Sequence, residues 1–568
     1  MKTKLLRRIL ISIPAILLQL VWLIVLGVWL TPYSFILNGI ITLAAVIYVL
    51  YIVTSRDEGA YKTLWLLIIL GLPIAGTVLY VLIGNKRTGR GIHKRLLHAR
   101  QITPSLQFND SVKSLEGENL RFSQTIKNLQ NTTGFPLCYS EGAKFYESGE
   151  KMFESMLIDL ESASRYIFIE YFIVERGFMW DSMVDILAKK ASQGVKVYML
   201  YDDLGSIATY DKTNVRALKK KGILCMPFNP MFFIRGTLNY RDHRKMLVID
   251  GKIAYSGGVN LADEYINKIE KYGYWKDIGF RLVGKPVKNY VYMFLQFWNA
   301  FPSLPIDKGL VEECPDLSDS LTETVCTDDK DLDAQKTSID VQKTSVDAKK
   351  GQADDSLKAE NDKGLGNNYL GINDAVLDEI DAFSCGRGGY VLSYYDSPLD
   401  HSDVSNDLYI DLLSQATNYA YFYTPYLMLG DNLLNAFINA AKRGVDVRII
   451  MPGIPDKKLV YRMSRSYYQI LLKSGIKIYE FLPGFVHAKA CIIDDKICTI
   501  GTVNLDYRSL FLHFENNSLF YNSPILYSLK ADFLKTQEKC RERKLSDIGQ
   551  GAFKWFVDAI LRIFAPLC

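Results

Sequence analysis

The sequence predicts an α/β protein made of two similar lobes behind an apolar, membrane-associated N-terminal region. Three observations carry this prediction. Short strand-like runs alternate with helical ones twice over, in the same order. A motif of the form HxKxxxxD occurs once in each half, followed at an identical spacing by a glycine-containing turn and an asparagine. Three long apolar stretches precede the first alternation.

Those stretches cover residues 9–30, 33–53 and 64–83 of a membrane region spanning 1–100, each close to the roughly 20 residues a helix needs to cross a hydrocarbon core. Transmembrane helices are therefore expected. Lys2, Lys4, Arg7 and Arg8 precede the first stretch as in a secretory signal, but the run is too long and no small-residue cleavage site follows. Only Thr31 and Pro32 separate the first two stretches, giving either a tight hairpin or one kinked apolar region. The N-terminus and the segment Lys86 to Arg100 are both basic, which conflicts with three full crossings. Gly71, Pro73 and Gly76 would kink the third stretch or make it re-entrant, and a re-entrant segment would remove the conflict.

The chain has 568 residues, 49% of them hydrophobic, enough to bury more than one globular unit. A first lobe is expected over 123–302, with Tyr166 to Phe172, Val195 to Tyr201 and Met246 to Ile249 as strands and Met183 to Ala191 and Val215 to Lys221 as helices. A second over 371–550 repeats the order from Tyr421 to Ile493, the signature of an internal duplication. The junctions AKKASQGVKVYML and INAAKRGVDVRII match, placing Gly194 and Gly444 where a helix C-cap needs positive φ. Between the lobes, residues 303–370 are acidic and polar and read as a disordered insertion. Residues 551–568 form an amphipathic C-terminal helix, lying in a membrane interface or packed on the second lobe.

A net charge of +5 with an acidic insertion argues against a nucleic-acid groove. Nine cysteines without CxxC spacing or a histidine-rich companion indicate neither a disulfide frame nor a zinc site, so no metal and no cofactor is expected. Cys491 and Cys498 lie in apolar strand-like runs and read as buried.

The first motif reads His243, Lys245, Asp250, Gly257, Gly258 and Asn260, and the second His487, Lys489, Asp494, Gly501, Thr502 and Asn504. With 6 histidines in the chain, two matches in one register are not a coincidence of composition. Phosphodiester exchange needs a nucleophile able to carry a phosphoryl group, a proton donor for the departing alkoxide and cations for the nonbridging oxygens. Two histidines and two lysines meet that list, one imidazole neutral and the other protonated. On a strand, residues two apart face the same side, so each His–Lys pair reaches a common site. Asn260 and Asn504 would donate to the same phosphate, and the small residues Gly258 and Thr502 would let backbone amides approach it. Asp250 and Asp494 complete the motif, although each stands at a hairpin turn where aspartate is favoured for backbone reasons. A carboxylate must orient each histidine, and Glu264 and Glu515 are the candidates.

These motifs, with GGVN and GTVN following, resemble the phospholipase D superfamily, and within it the bacterial cardiolipin synthases. LPIAGTVLYVLIGNK, IEYFIVERG, NYRDHRKMLVIDGKIAYSGGVN, WKDIGFRLVGKPV and FVHAKACIIDDKICTIGTVNLDYRSLFLHFE carry the resemblance over most of the chain. The apolar stretch 9–30 and the acidic insertion depart from the usual pattern. The resemblance implies two lobes with central mixed sheets and one active site on a pseudo-twofold axis. It implies transfer of a phosphatidyl group from one phosphatidylglycerol to another through a phosphohistidine, giving cardiolipin and glycerol, in a multi-pass protein of the bacterial cell membrane. His243 is implied as nucleophile and His487 as general acid, with pseudo-symmetry leaving the opposite assignment open. The rival readings are a membrane phospholipase D releasing phosphatidic acid and a non-catalytic membrane scaffold.

Overall fold

The computed structural model describes residues 34–84, 89–103, 106, 111–230, 239–300, 388–400, 402–549 and 551–567. The apolar stretch 9–30 and the insertion 303–370 lie outside them.

The strands of the first half are β1 (Cys138–Tyr139), β2 (Ala143–Tyr146), β3 (Tyr166–Tyr171), β4 (Lys196–Asp202), β5 (Ile223–Phe228), β6 (Lys245–Ile249), β7 (Ile253–Gly257), β8 (Tyr274–Lys276) and β9 (Gly279–Val283). Those of the second are β10 (Tyr390–Asp396), β11 (Tyr419–Tyr423), β12 (Asp446–Pro452), β13 (Lys477–Phe481), β14 (Gly484–Val486), β15 (Ala490–Ile493), β16 (Ile497–Gly501), β17 (Glu515–Tyr521) and β18 (Cys540–Arg543). Seven form one mixed sheet in the order β2-β9-β7-β6-β3-β4-β5, in which β3, β4 and β5 are parallel and the rest antiparallel. The second sheet, β1-β10-β17-β16-β15-β11-β12-β13-β18, repeats the plan with β11, β12 and β13 parallel. The expected pair of α/β lobes with mixed sheets is thus present.

Both central strands, YIFIEY and YAYFY, are buried along their whole length, as expected of strands covered on two faces. Helices Phe178–Ser192 and Asp431–Lys442 lead back to β4 and β12, and Gly194 (φ 96) and Gly444 (φ 92) turn the chain out of them. Cys491 and Cys498 are buried in β15 and β16.

An apolar seam joins the lobes, with Phe280 edge-on to Phe520 at 5.4 Å and Phe297 to Phe514 at 5.0 Å. The sequence places residue 123 onward in the first lobe, yet helix Leu120–Thr133 stacks Phe122 on Tyr521 of the second at 4.4 Å, and β1 pairs with β10. The apolar face of that helix, with Ile126 and Leu129 buried, covers the second sheet. Two shorter links cross the seam nearer the motifs. Strand β8 pairs in parallel with β14, and Asp242 bridges to Phe514.

Upstream, helix Ser34–Thr54 is followed by helix Gly59–Gly71, which ends at Leu72; Pro73 then opens a new helix, Pro73–Leu79. A Cβ on Gly76 would lie 2.5 Å from the Ile68 carbonyl, so the second piece folds closely against the first. Among the described residues no helix is long and apolar enough to cross a membrane. Ile40, Leu43, Ile47, Leu50, Leu67 and Leu70 are nevertheless exposed on these helices. The C-terminal helix Ala552–Phe564 packs beside helices Lys458–Ser466 and Gly59–Gly71, with Arg562 donating to the Ser466 carbonyl.

Candidate active site

The motif histidines come just before β6 and β15, and each is gripped by the opposite lobe. The His243 N–H donates to the Phe514 carbonyl at 2.9 Å, and its Nδ1 lies 2.9 Å from both carboxylate oxygens of Glu515. In the mirror arrangement the His487 N–H donates to the Lys276 carbonyl at 2.7 Å, and its Nδ1 lies 2.7 Å from Asp277 Oδ2. A proton on Nδ1 satisfies each carboxylate and leaves Nε2 with its lone pair. Lys245 and Lys489 follow two residues on, each Nζ donating to the carbonyl of its own histidine.

Glu515 therefore stands where a histidine-orienting carboxylate was expected, and Glu264 does not. Glu264 sits on the short 3₁₀ helix Asp263–Ile266 and accepts from Lys271 Nζ at 3.0 Å, while Asp277 takes the place beside His487. The overlooked signal is positional. Asp277 and Glu515 each come two residues before the strand partner of the motif glycine, Gly279 opposite Gly257 and Asn517 opposite Gly501.

The small residues after the motifs make room for these carboxylates. A Cβ on Gly258 would lie 2.0 Å from Asp277 Oδ1, and the Thr502 hydroxyl donates to Glu515. Their own N–H groups are engaged with the carbonyls of Ile278 and Asn516, so the expected service of backbone amides to a phosphate is not met. Asn260 accepts from the Ile173 N–H at 3.0 Å and donates to the Tyr265 hydroxyl at 2.8 Å, and Asn504 Oδ1 is buried without a hydrogen bond to any described residue.

Asp250 and Asp494 lie at the far ends of β6 and β15, both with φ 53. Asp250 accepts from the Ser164 N–H and hydroxyl and the N–H groups of Arg165 and Tyr166, all at 2.8 Å. Asp494 repeats this with Thr417, Asn418 and Tyr419. These carboxylates tie down the start of β3 and β11, in keeping with the hairpin-turn role that the sequence offers at both positions.

The cluster is buried and rich in positive charge. Burial, then Lys245 and the neighbouring imidazoles, hold His243 well below the usual histidine range. Burial and Lys489 outweigh Asp277 and bring His487 down to about 4. Burial also lowers Lys245 to about 8 and Lys489 to about 7, against the pull of Asp277 and Glu515. Burial pushes Glu515 well up, whereas at Asp277 the charges of His487 and Lys489 and the Ile278 N–H overcome burial and hold the carboxyl down. Aromatic walls close the site, with Phe172 4.8 Å from His243 and Tyr265 and Trp275 at 5.3 and 5.5 Å from His487. Such a site favours an anion able to replace the water its cations have lost.

The sequence matches the family described as cardiolipin synthase, PLD-like domain, over residues 156–271 and 409–536, and the phospholipase D-nuclease N-terminal family over residues 40–85. An uncharacterized protein of Streptococcus mutans is 36% identical over 523 residues, covering 91% of this chain and 99% of its own. Cardiolipin synthases of Alkalihalophilus pseudofirmus and Halalkalibacterium halodurans are 28% and 27% identical, over 94% and 92% of this chain and 93% and 92% of theirs. The crystal structure of phosphatidylserine synthase from Haemophilus influenzae shares the fold, with TM-score 0.51 and 15% identity over 78% of this chain and 97% of its own. With both halves of the duplication matched, the chain belongs to the phospholipase D superfamily, in its cardiolipin synthase family.

Proposed function

We propose that the protein is a phosphatidyltransferase that makes cardiolipin and glycerol from two phosphatidylglycerol molecules. The observation that carries this reading is the crossed pair of histidine–carboxylate contacts, His243 with Glu515 and His487 with Asp277. Nε2 of His243 attacks the phosphorus of the first lipid; the bond to the glycerol oxygen breaks, and His487 delivers a proton to that oxygen. Lys245 and Lys489 neutralise the nonbridging oxygens, and Asn260 and Asn504 border them. The primary hydroxyl of the second lipid then bonds to phosphorus, the P–N bond to His243 breaks, and the hydroxyl proton passes to His487. One phosphodiester replaces another, so no nucleotide is consumed. A phosphate anion between the lysines supplies the negative charge that lifts His487 from its low value in the empty site. Pseudo-symmetry permits the histidines to exchange roles.

The protein works at a bacterial membrane, in the multi-pass arrangement proposed for the apolar stretches before Gly84, with its substrates in the bilayer. Family relatives named as cardiolipin synthases support this reading. Purified protein incubated with phosphatidylglycerol, followed by lipid mass spectrometry, tests it. A product with four acyl chains is expected; phosphatidic acid alone would make the protein a hydrolase. His487→Ala should abolish either product.

A further inference from the structure

Beside His243 stands a third imidazole that the transfer steps above do not use. The His513 ring lies 5.9 Å from that of His243. It follows the π-helical turn Arg508–Leu512, and its N–H is tied back to the Arg508 carbonyl at 2.8 Å. Arg508 Nη1 approaches His513 Nε2 at 3.5 Å. A guanidinium can only donate, so this contact favours the lone pair on Nε2 and the proton on Nδ1. Among the described residues no protein group hydrogen-bonds that Nδ1. From behind, Arg508 Nε donates to the Leu567 carbonyl at 3.2 Å, fixing the guanidinium beside the ring. Burial and the charges of Arg508, Arg241, Lys245 and Lys457 keep His513 neutral, so it offers a directed N–H in a positive field.

The donor phosphate already commands the two motif lysines. A second anionic lipid entering the same site requires its own countercharge, and its hydroxyl must reach phosphorus before water does. We propose that His513 and Arg508 form the acceptor subsite, taking a glycerophosphate headgroup with one negative charge and a free primary hydroxyl. This rests on the phosphatidyl-transfer reading and extends it. Arg508 faces the acceptor's phosphate, and His513 Nδ1–H donates to a headgroup oxygen. In the step so assisted, the acceptor hydroxyl oxygen bonds to phosphorus, the bond from phosphorus to His243 Nε2 breaks, and the hydroxyl proton goes to His487. Water can complete the same step without the subsite, yielding phosphatidic acid. The subsite therefore governs how the covalent intermediate is partitioned, not whether it forms.

The test is the molar ratio of cardiolipin to phosphatidic acid that the full-length protein makes from phosphatidylglycerol vesicles, a quantity independent of how much protein is folded. His513→Ala should lower the ratio about tenfold, the equivalent of one lost hydrogen bond. His513→Asn places an amide nitrogen close to where Nδ1 stood and should recover most of that loss. Arg508→Lys should lower the ratio while keeping the charge, because a lysine cannot both hold the imidazole and face a phosphate. A ratio unchanged in His513→Ala, even with turnover reduced, would make His513 a packing residue and overturn the subsite alone. If the wild-type protein makes no cardiolipin, the transfer reading fails and the subsite falls with it.

Discussion

Asp277 of the first lobe holds His487 of the second, with 2.7 Å between Oδ2 and Nδ1 and the Asp277 side chain fully buried. The same exchange in reverse binds His243 to Glu515, whose carboxylate also receives the Thr502 hydroxyl. Neither histidine can be oriented unless the lobes are closed on each other. The duplication thus makes two half-sites, each incomplete without the other.

Removing either carboxylate charge should be costly in a different step. With His243 as nucleophile, Glu515→Gln should slow formation of the phosphatidyl-enzyme about 10²–10⁴-fold for any leaving group. Asp277→Asn should cost as much with phosphatidylglycerol but far less with a p-nitrophenyl phosphodiester, whose leaving group needs no proton. Rapid-quench measurement of the covalent intermediate distinguishes the two variants. The opposite pattern would exchange the roles of the histidines.

The buried lysines set the alkaline side of the pH profile. Lys489 at about 7 and Lys245 at about 8 are depressed mainly by burial, and both must carry charge to take the phosphate. Their charged forms prevail below those values and are lost above them, so kcat/KM, which reports the free enzyme, should fall as pH rises through about 7–8. Lys489→Arg keeps its charge and should move that limb upward in steady-state assays across pH.

The two lobes, the helix–strand order and all four motif His and Lys positions were legible because local periodicity and a repeated motif encode them. Asp277 was not, because its partner His487 is 210 positions away and nothing local distinguishes it from any aspartate before a strand. Glu264 is near Asn260 in sequence, but the 3₁₀ turn Asp263–Ile266 leaves its carboxylate with Lys271. The aspartates of the motifs were legible as turn residues from Asp250-Gly251 and Asp494-Asp495, where φ is indeed positive.

Two substitutions near the motif separate stability from chemistry. Asp250→Ala abandons four hydrogen bonds at the start of β3 and should cost about 2–4 kcal/mol of folding stability by denaturant titration, with turnover per folded molecule largely kept. Gly258→Ala drives a methyl into Asp277 Oδ1 and should abolish most turnover, with a smaller stability loss of about 1–3 kcal/mol.

The C-terminal helix offers a surface that the sequence left undecided between membrane and core. Phe553 and Trp555 are 79% and 70% exposed, while Arg562 lies over the Tyr467 ring at 4.9 Å, so one face anchors the helix to the second lobe and the other is left apolar. That helix also touches Gly59–Gly71, whose Leu67 and Leu70 are exposed. Burying an aromatic ring in the headgroup layer is favourable by the hydrophobic effect. Trp555 emission should therefore shift to the blue on adding phosphatidylglycerol vesicles and be quenched by brominated acyl chains, with the other tryptophans replaced by phenylalanine. Phe553→Ser with Phe556→Ser should weaken both signals and raise KM for vesicles more than for a short-chain soluble diester. Unchanged emission in the presence of vesicles would place this face away from the bilayer.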